Sequence, residues 1–261
     1  MDPLAYTTNQ VQMFLLAFVR IASIMALLPV FGSTSIPFQL RVGLSVAVCI
    51  ILFPLVQQHA TIMPPATTGM FVFRVLTEIF VGLIIGFTAT LLFTGVQFAG
   101  YLIDAITGFS FVELVDPFTE ASVTIFGQLN VLIFTIVFLM LNGHYFFLVA
   151  IEKSFEIIPL YGVAIPGGKL AAFLTAQTGA LFTVAFKLSA PIFVTLMITQ
   201  VALSVVARTV PQINVFFVGI PLNIAVAFGT AMLVLPNLVT LFKGVVDNLM
   251  QDIWRLLYLM A

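Results

Sequence analysis

Uncharged stretches dominate this chain, and each of them is long. They run from Ile21 to Leu40, Val42 to Phe73, Ile79 to Ile103, Ala121 to Ile151, Leu188 to Ala207 and Thr209 to Phe242. Because about 20 apolar residues span a bilayer as a helix, the pattern predicts membrane-type helices, some longer than one span. Turn chemistry then divides the runs. A first helix is expected around 11–29, followed by a turn at Pro29, Gly32 and Pro37. A second, around 39–56, ends before Pro64 and Pro65, which lack backbone donors and restrict the residue ahead of them. A third covers about 70–106 and exceeds a perpendicular span, and a fourth covers about 121–152. A fifth, around 170–207, is expected to kink at Pro191, and a sixth spans about 219–241. Beyond Lys243 the apolar face Val246, Leu249, Met250, Ile253, Leu257, Met260 opposes Asp247, Gln251, Asp252 and Arg255, which predicts an amphipathic helix lying on a membrane or docked on a partner.

Composition narrows the class to an all-α, integral-membrane fold. Of 261 residues 62% are hydrophobic and 7% charged, against about 25% charged in a soluble domain. The longest polar connection, between Glu152 and Lys169, leaves no material for a soluble domain. The sole cysteine, Cys49, excludes an internal disulfide, and with His59 and His144 it supplies too few ligands for zinc. Cys49 is therefore read as packing, and no metal or cofactor is expected. A net charge of -1 offers no basic stripe for nucleic acid. The opening MDPLAYTTNQ lacks a basic leader, so the first helix is expected to remain in the mature protein.

The few polar residues carry the remaining information. Gly82, Gly86, Thr90 and Thr94 recur every four positions, a small-residue row along which another backbone can approach. Arg20, Arg41, Arg74, Glu78, Lys187 and Arg208 lie in or beside apolar helices, where charge is costly unless it faces protein or water. Three accounts stay open. Arg41 and Arg74 can snorkel, with Arg74 pairing with Glu78 along one helix face; the charges can form a relay; or the helices can pack against other subunits that satisfy them. Catalytic signatures are lacking: GGK at 167–169 has no phosphate-loop spacing, no nucleophile elbow occurs, and Asn142, Gly143 and His144 read as a polar helix end. No enzyme is expected.

One stretch stands out, GFSFVELVDPFTEAS at 108–122, which sets Glu113, Asp116 and Glu120 among phenylalanines. Pro117 blocks helix continuation at Asp116 and Gly108 permits a sharp departure, so a loop is predicted, with Asp116 or Thr119 available to cap the next helix.

Several segments stand together in order and spacing: PVFGSTSIPFQLRVGLSV at 29–46, the Gly82 and Gly86 helix leading to QFAGYLIDAITGFSFVELVDP at 97–117, LNGHYFFLVAIEKSFEIIP at 141–159, AP at 190–191 and ARTVPQINVFFVGIPLNI at 207–224. Jointly they resemble the FliR family of flagellar biosynthesis membrane proteins of the type III export apparatus. The resemblance implies a P-like helical portion over 1–171 and a Q-like helical hairpin with the amphipathic tail over 172–261. It implies assembly of one such copy with several P and Q subunits into a helical cone largely raised out of the bilayer plane. The B and A subunits of the apparatus and unfolded export substrates are the further partners it implies, at the inner membrane in the flagellar basal body. It maps the family's pore plug onto about 106–122, with Phe109, Ser110, Phe111, Val112, Glu113, Leu114, Asp116 and Pro117 as plug residues. Such a cone matches the third account of the charged residues, with Arg20, Arg41, Arg74, Glu78, Lys187 and Arg208 as buried or interfacial charge, beside the packing face that the residues themselves place at Gly82 and Gly86. The competing expectations are an autonomous secondary transporter with Arg74, Glu78, Asp104 and Lys187 as its relay, a virulence-system homologue, and a scaffold without a pore.

Overall fold

The computed structural model describes residues 3–29, 31, 36–59, 67–109, 124–160, 167–212 and 214–261. Within them the elements are α1 (Pro3–Leu27), α2 (Phe38–His59), α3 (Thr68–Thr107), α4 (Ile125–Met140), α5 (Gly143–Ile157), α6 (Gly167–Thr209) and α7 (Val215–Met260), and no strand occurs among the described residues. Five helices are long and apolar enough to cross a membrane, or up to six if α4 and α5 count as one broken span.

Two elements depart from the sequence reading. The expected fourth helix is two helices, because Asn142 takes the left-handed conformation at φ 57°. Asparagine tolerates that region better than other residues with a Cβ. The turn is productive on both sides: the N–H of Leu141 closes α4 onto Val137 O, and Asn142 O accepts the N–H groups of Tyr145 and Phe146 to start α5. Conversely, the expected sixth helix and the tail are one helix of 46 residues with Pro221 and Pro236 inside it. Gly244 costs only about 1 kcal/mol against alanine in a helix, too little to end one whose Phe242, Val245, Val246 and Leu249 are all buried.

The chain divides into two compact units. The first comprises Met1–Leu91, Asn142–Gln177 and Asp247–Ala261. Here α1 packs along α2, and α2 against α5. The amphipathic end of α7 buries Leu249, Ile253, Leu257 and Met260 within the chain itself, so its apolar face is already covered. Trp254 meets Phe146 edge to face at 6.2 Å. Cys49 is buried, its thiol donating weakly to Phe14 O at 3.8 Å, in keeping with a packing role.

The second unit comprises Leu92–Leu141 and Thr178–Val246. Its interior is built on phenylalanine. Phe93 sits edge-on to Phe134 and Phe138, Phe134 meets Phe242, and Phe126 lies 4.9 Å from Phe228. Ile103, Phe126, Ile192, Leu196 and Ala227 form a fully enclosed cluster. Burial of such rings contributes on the order of 1.5–3 kcal/mol each. By contrast only 11% of the most apolar stretch of α6 is buried, against 56% for α3, which leaves most of α6 uncovered in the single chain.

Candidate functional site

Two polar nodes organise the helices, one in each unit, and both use a charge from one helix to finish the end of another. In the first unit Arg20 of α1 is fully buried. Its Nε donates to Glu78 Oε2 of α3 at 2.5 Å, and its Nη1 donates to Ser154 O and Ile158 O, both at 2.9 Å. Those carbonyls belong to the last turn of α5, whose unpaired C=O groups and negative dipole end favour a cation. The guanidinium also lies 4.5 Å from the Phe155 ring centroid, a desolvated cation–π geometry. Two atoms of the pair, Arg20 Nη2 and Glu78 Oε1, are buried without hydrogen-bond partners among the described residues.

The small-residue row of α3 faces α1 beside this node. A Cβ at Gly82 would come 2.6 Å from Arg20 O and 2.7 Å from Ser23 Cβ, and one at Gly86 would come 2.7 Å from Leu27 Cβ. Thr90 continues the contact by donating to Leu27 O at 2.6 Å. The backbone that the row admits is therefore α1 of the same chain.

In the second unit the node surrounds the segment between α3 and α4. Asp104 is 3% exposed and accepts the N–H of Phe126 at 3.2 Å from both carboxylate oxygens and that of Gly127 at 3.4 Å. These are the first-turn amides of α4, and the local cap residue Thr124 makes no side-chain capping bond. One turn earlier, any Cβ on Gly100 would overlap the backbone of Phe126 and Gly127, so the two helices touch main chain to main chain. Thr107 Oγ1 donates to Ile103 O and Asp104 O, and Gln200 of α6 donates to Ile106 O at 3.1 Å, which occupies carbonyls of the last turn of α3. The chain then leaves at Gly108 with φ 96°, a conformation that strains any residue with a Cβ. Phe109 is half-buried, its ring 6.4 Å from that of Phe126. A cavity of about 390 Å³ opens here between Thr107, Gly108, Gln200, Ser204, Gly219 and Asn223.

Of the remaining sequence-expected residues, Arg41 and Arg74 are half-buried, and Lys187 and Arg208 are exposed on the surface of the chain. Ser110, Phe111, Val112, Glu113, Leu114, Asp116 and Pro117 lie outside the described residues. Sequence reasoning missed both tertiary caps. Asp104 lies 22 residues from Phe126, and Arg20 lies 134 from Ser154, so no local spacing announces either contact.

A full-length pattern of this kind can be set against known proteins. The model of the bacterial export proteins, family 1, matches residues 11–249. The chain belongs to the FliR family of bacterial export proteins. It is similar to the flagellar biosynthetic protein FliR of Bacillus subtilis, with 35% identity covering 82% of this chain and 83% of that protein. It is likewise similar to FliR of Caulobacter vibrioides, with 32% identity over 84% and 86% of the two chains. It is more distantly similar to the secretion system apparatus protein SsaT of Salmonella typhimurium, 25% identical over 84% of this chain and 85% of that one.

Proposed function

We propose that this chain is a core subunit of the flagellar type III protein-export gate. In this reading one copy joins several P and Q subunits, with the B and A subunits nearby, to form the channel for unfolded flagellar substrates across the inner membrane at the basal body. Residues up to about 171 supply a P-like portion and residues 172–261 a Q-like one. The observation that carries the proposal is the match to flagellar FliR proteins at 35% and 32% identity over more than four-fifths of the chain. The largely uncovered α6 supports it, because a 43-residue apolar helix with so little of its own chain around it is suited to contact with further helices. Exposed Lys187 and Arg208 fit the same reading as charges satisfied across subunit contacts.

The segment from about 106 to 122 is the plug of the closed pore in this proposal, with Phe109, Phe111 and Leu114 as its occluding groups. The test is deletion of residues 110–115 in cells that co-express the P and Q companions. Small-solute leakage is expected to rise while the complex still co-purifies. Unchanged leakage from an intact complex removes the plug, and failure to co-purify with the companions removes the gate assignment itself.

A further inference from the structure

Folded interiors hold few voids larger than a water molecule, so a cavity of about 260 Å³ inside the second unit calls for an occupant. It lies between α4, α6 and α7. Its α7 wall runs from Phe228 to Leu238, roughly 15 Å of helix at about 1.5 Å per residue, so the void is a slot laid along the helix. Ile192 and Leu238, only 2% and 4% exposed, belong to its inner wall, whereas Met232 and Leu235, at 74% and 40%, stand at its rim. Both α6 and α7 are apolar enough to cross a membrane, and where α7 does so that rim opens onto hydrocarbon.

The lining decides what can enter. A buried water needs two to four polar partners, and an apolar cavity of about 150 Å³ stays dry yet takes up benzene. Among the described residues Asn130 is the one polar side chain on this lining, too little to hold water. A side chain from a neighbouring subunit would enter crosswise and fill one part of so long a slot; a linear hydrocarbon chain lying along α7 fills it throughout. Asn130 is itself 6% exposed, and its amide makes no hydrogen bond within the chain. Buried polar side chains are nearly always paired, so the occupant should bring a hydrogen-bonding group beside its hydrocarbon.

We propose that the slot between α4, α6 and α7 binds one acyl chain of a membrane lipid, with the amide of Asn130 donating to its ester carbonyl. The site needs neither the plug nor the gate in order to exist.

The test reconstitutes the full chain in vesicles of phosphatidylethanolamine and phosphatidylglycerol. They are doped with a phosphatidylethanolamine carrying a diazirine at the tip of one acyl chain, and the photolabelled residues are mapped by mass spectrometry. Bulk lipid labels exposed residues such as Val201, at 64% exposure, but only a chain inside the slot reaches Ile192 and Leu238. Labelling of those two residues is expected. Ala231→Phe fills the slot and is expected to abolish it, with Val201 labelled as before and the thermal midpoint not lowered. An ether-linked lipid, which lacks the carbonyl, and the variant Asn130→Leu with the ester lipid are each expected to label the slot about 3- to 10-fold less, the range for loss of one hydrogen bond. Unlabelled Ile192 and Leu238, or labelling that survives Ala231→Phe, overturns the site. Equal labelling by ester and ether lipids overturns the Asn130 contact. Labelling that is lost on co-expression with the proposed P and Q companions gives the slot to a neighbouring subunit and overturns the lipid assignment. Should Ala231→Phe fail to accumulate, Ala231→Leu carries the same test with the same outcomes.

Discussion

Removing Glu78 isolates a buried guanidinium, and the size of the loss follows from what remains around it. Glu78→Ala takes away the sole counter-charge at Arg20 Nε among the described residues but leaves the two α5 carbonyls and the Phe155 face in place. Breaking a buried pair by deleting one partner costs about 3–5 kcal/mol. The surviving contacts to Arg20 put this case near the lower end, about 3 kcal/mol. For a protein of this size each kcal/mol moves the midpoint by roughly 2–4 °C, so the purified chain should melt roughly 6–12 °C lower. Replacing both members, Arg20→Met with Glu78→Leu, should recover much of the loss, because an apolar pair of similar volume escapes the desolvation penalty. The assay is thermal unfolding of the detergent-solubilised chain for wild type, both single variants and the double variant, read as a double-mutant cycle. A Glu78→Ala shift under about 2 °C, or a double variant as unstable as the sum of the singles, would refute the reasoning.

Two further outcomes follow from the packing. Gly82→Ala should destabilise by about 1–3 kcal/mol, since its Cβ would meet the backbone oxygen of Arg20; Gly179→Ala, whose Cβ would meet nothing within 4 Å, is the control, and equal midpoints for the two variants would remove the α1–α3 contact. Lys187→Met should leave the stability of the chain itself within about 0.5 kcal/mol, as expected of an exposed site, while reducing recovery of the proposed P and Q companions in co-purification; undiminished recovery would end its proposed interfacial role.

Which parts of this fold could be read from sequence follows from the range of each signal. Hydropathy placed α2, α3 and α6 closely, because a span of lipid-compatible length needs no tertiary information, whereas α1 begins at Pro3, ahead of the expected start at 11. Asn142 and Gly143 were recognisable as a helix end, yet a break within one apolar run was not expected, since the residues on either side are equally hydrophobic. The tail's two faces were legible, but periodicity names a face and not its partner, and here the partner is the rest of the same chain. The four-residue spacing of Arg74 and Glu78 drew attention to a local pair, whereas Glu78 Oε2 goes to Arg20, 58 residues away. Asp104 drew notice as a member of a candidate relay because intramembrane carboxylates are rare. Its duty as a helix cap depends on the close approach at Gly100, which no pattern in one dimension reveals.

The Arg20 node also sets a timetable for synthesis. Arg20 emerges 58 residues ahead of Glu78 and 134 ahead of Ser154. At about 5–20 residues per second the first helix waits roughly 3–12 s for its counter-ion and roughly 7–27 s for the carbonyls. During that interval it holds an arginine whose placement at the centre of a lone membrane helix costs about 2.5–3.5 kcal/mol. The nascent α1 is thus a poor resident of lipid until α3 arrives, and a ribosome stalled between α2 and α3 should leave it beside the insertion machinery, crosslinkable there and released once Glu78 has followed.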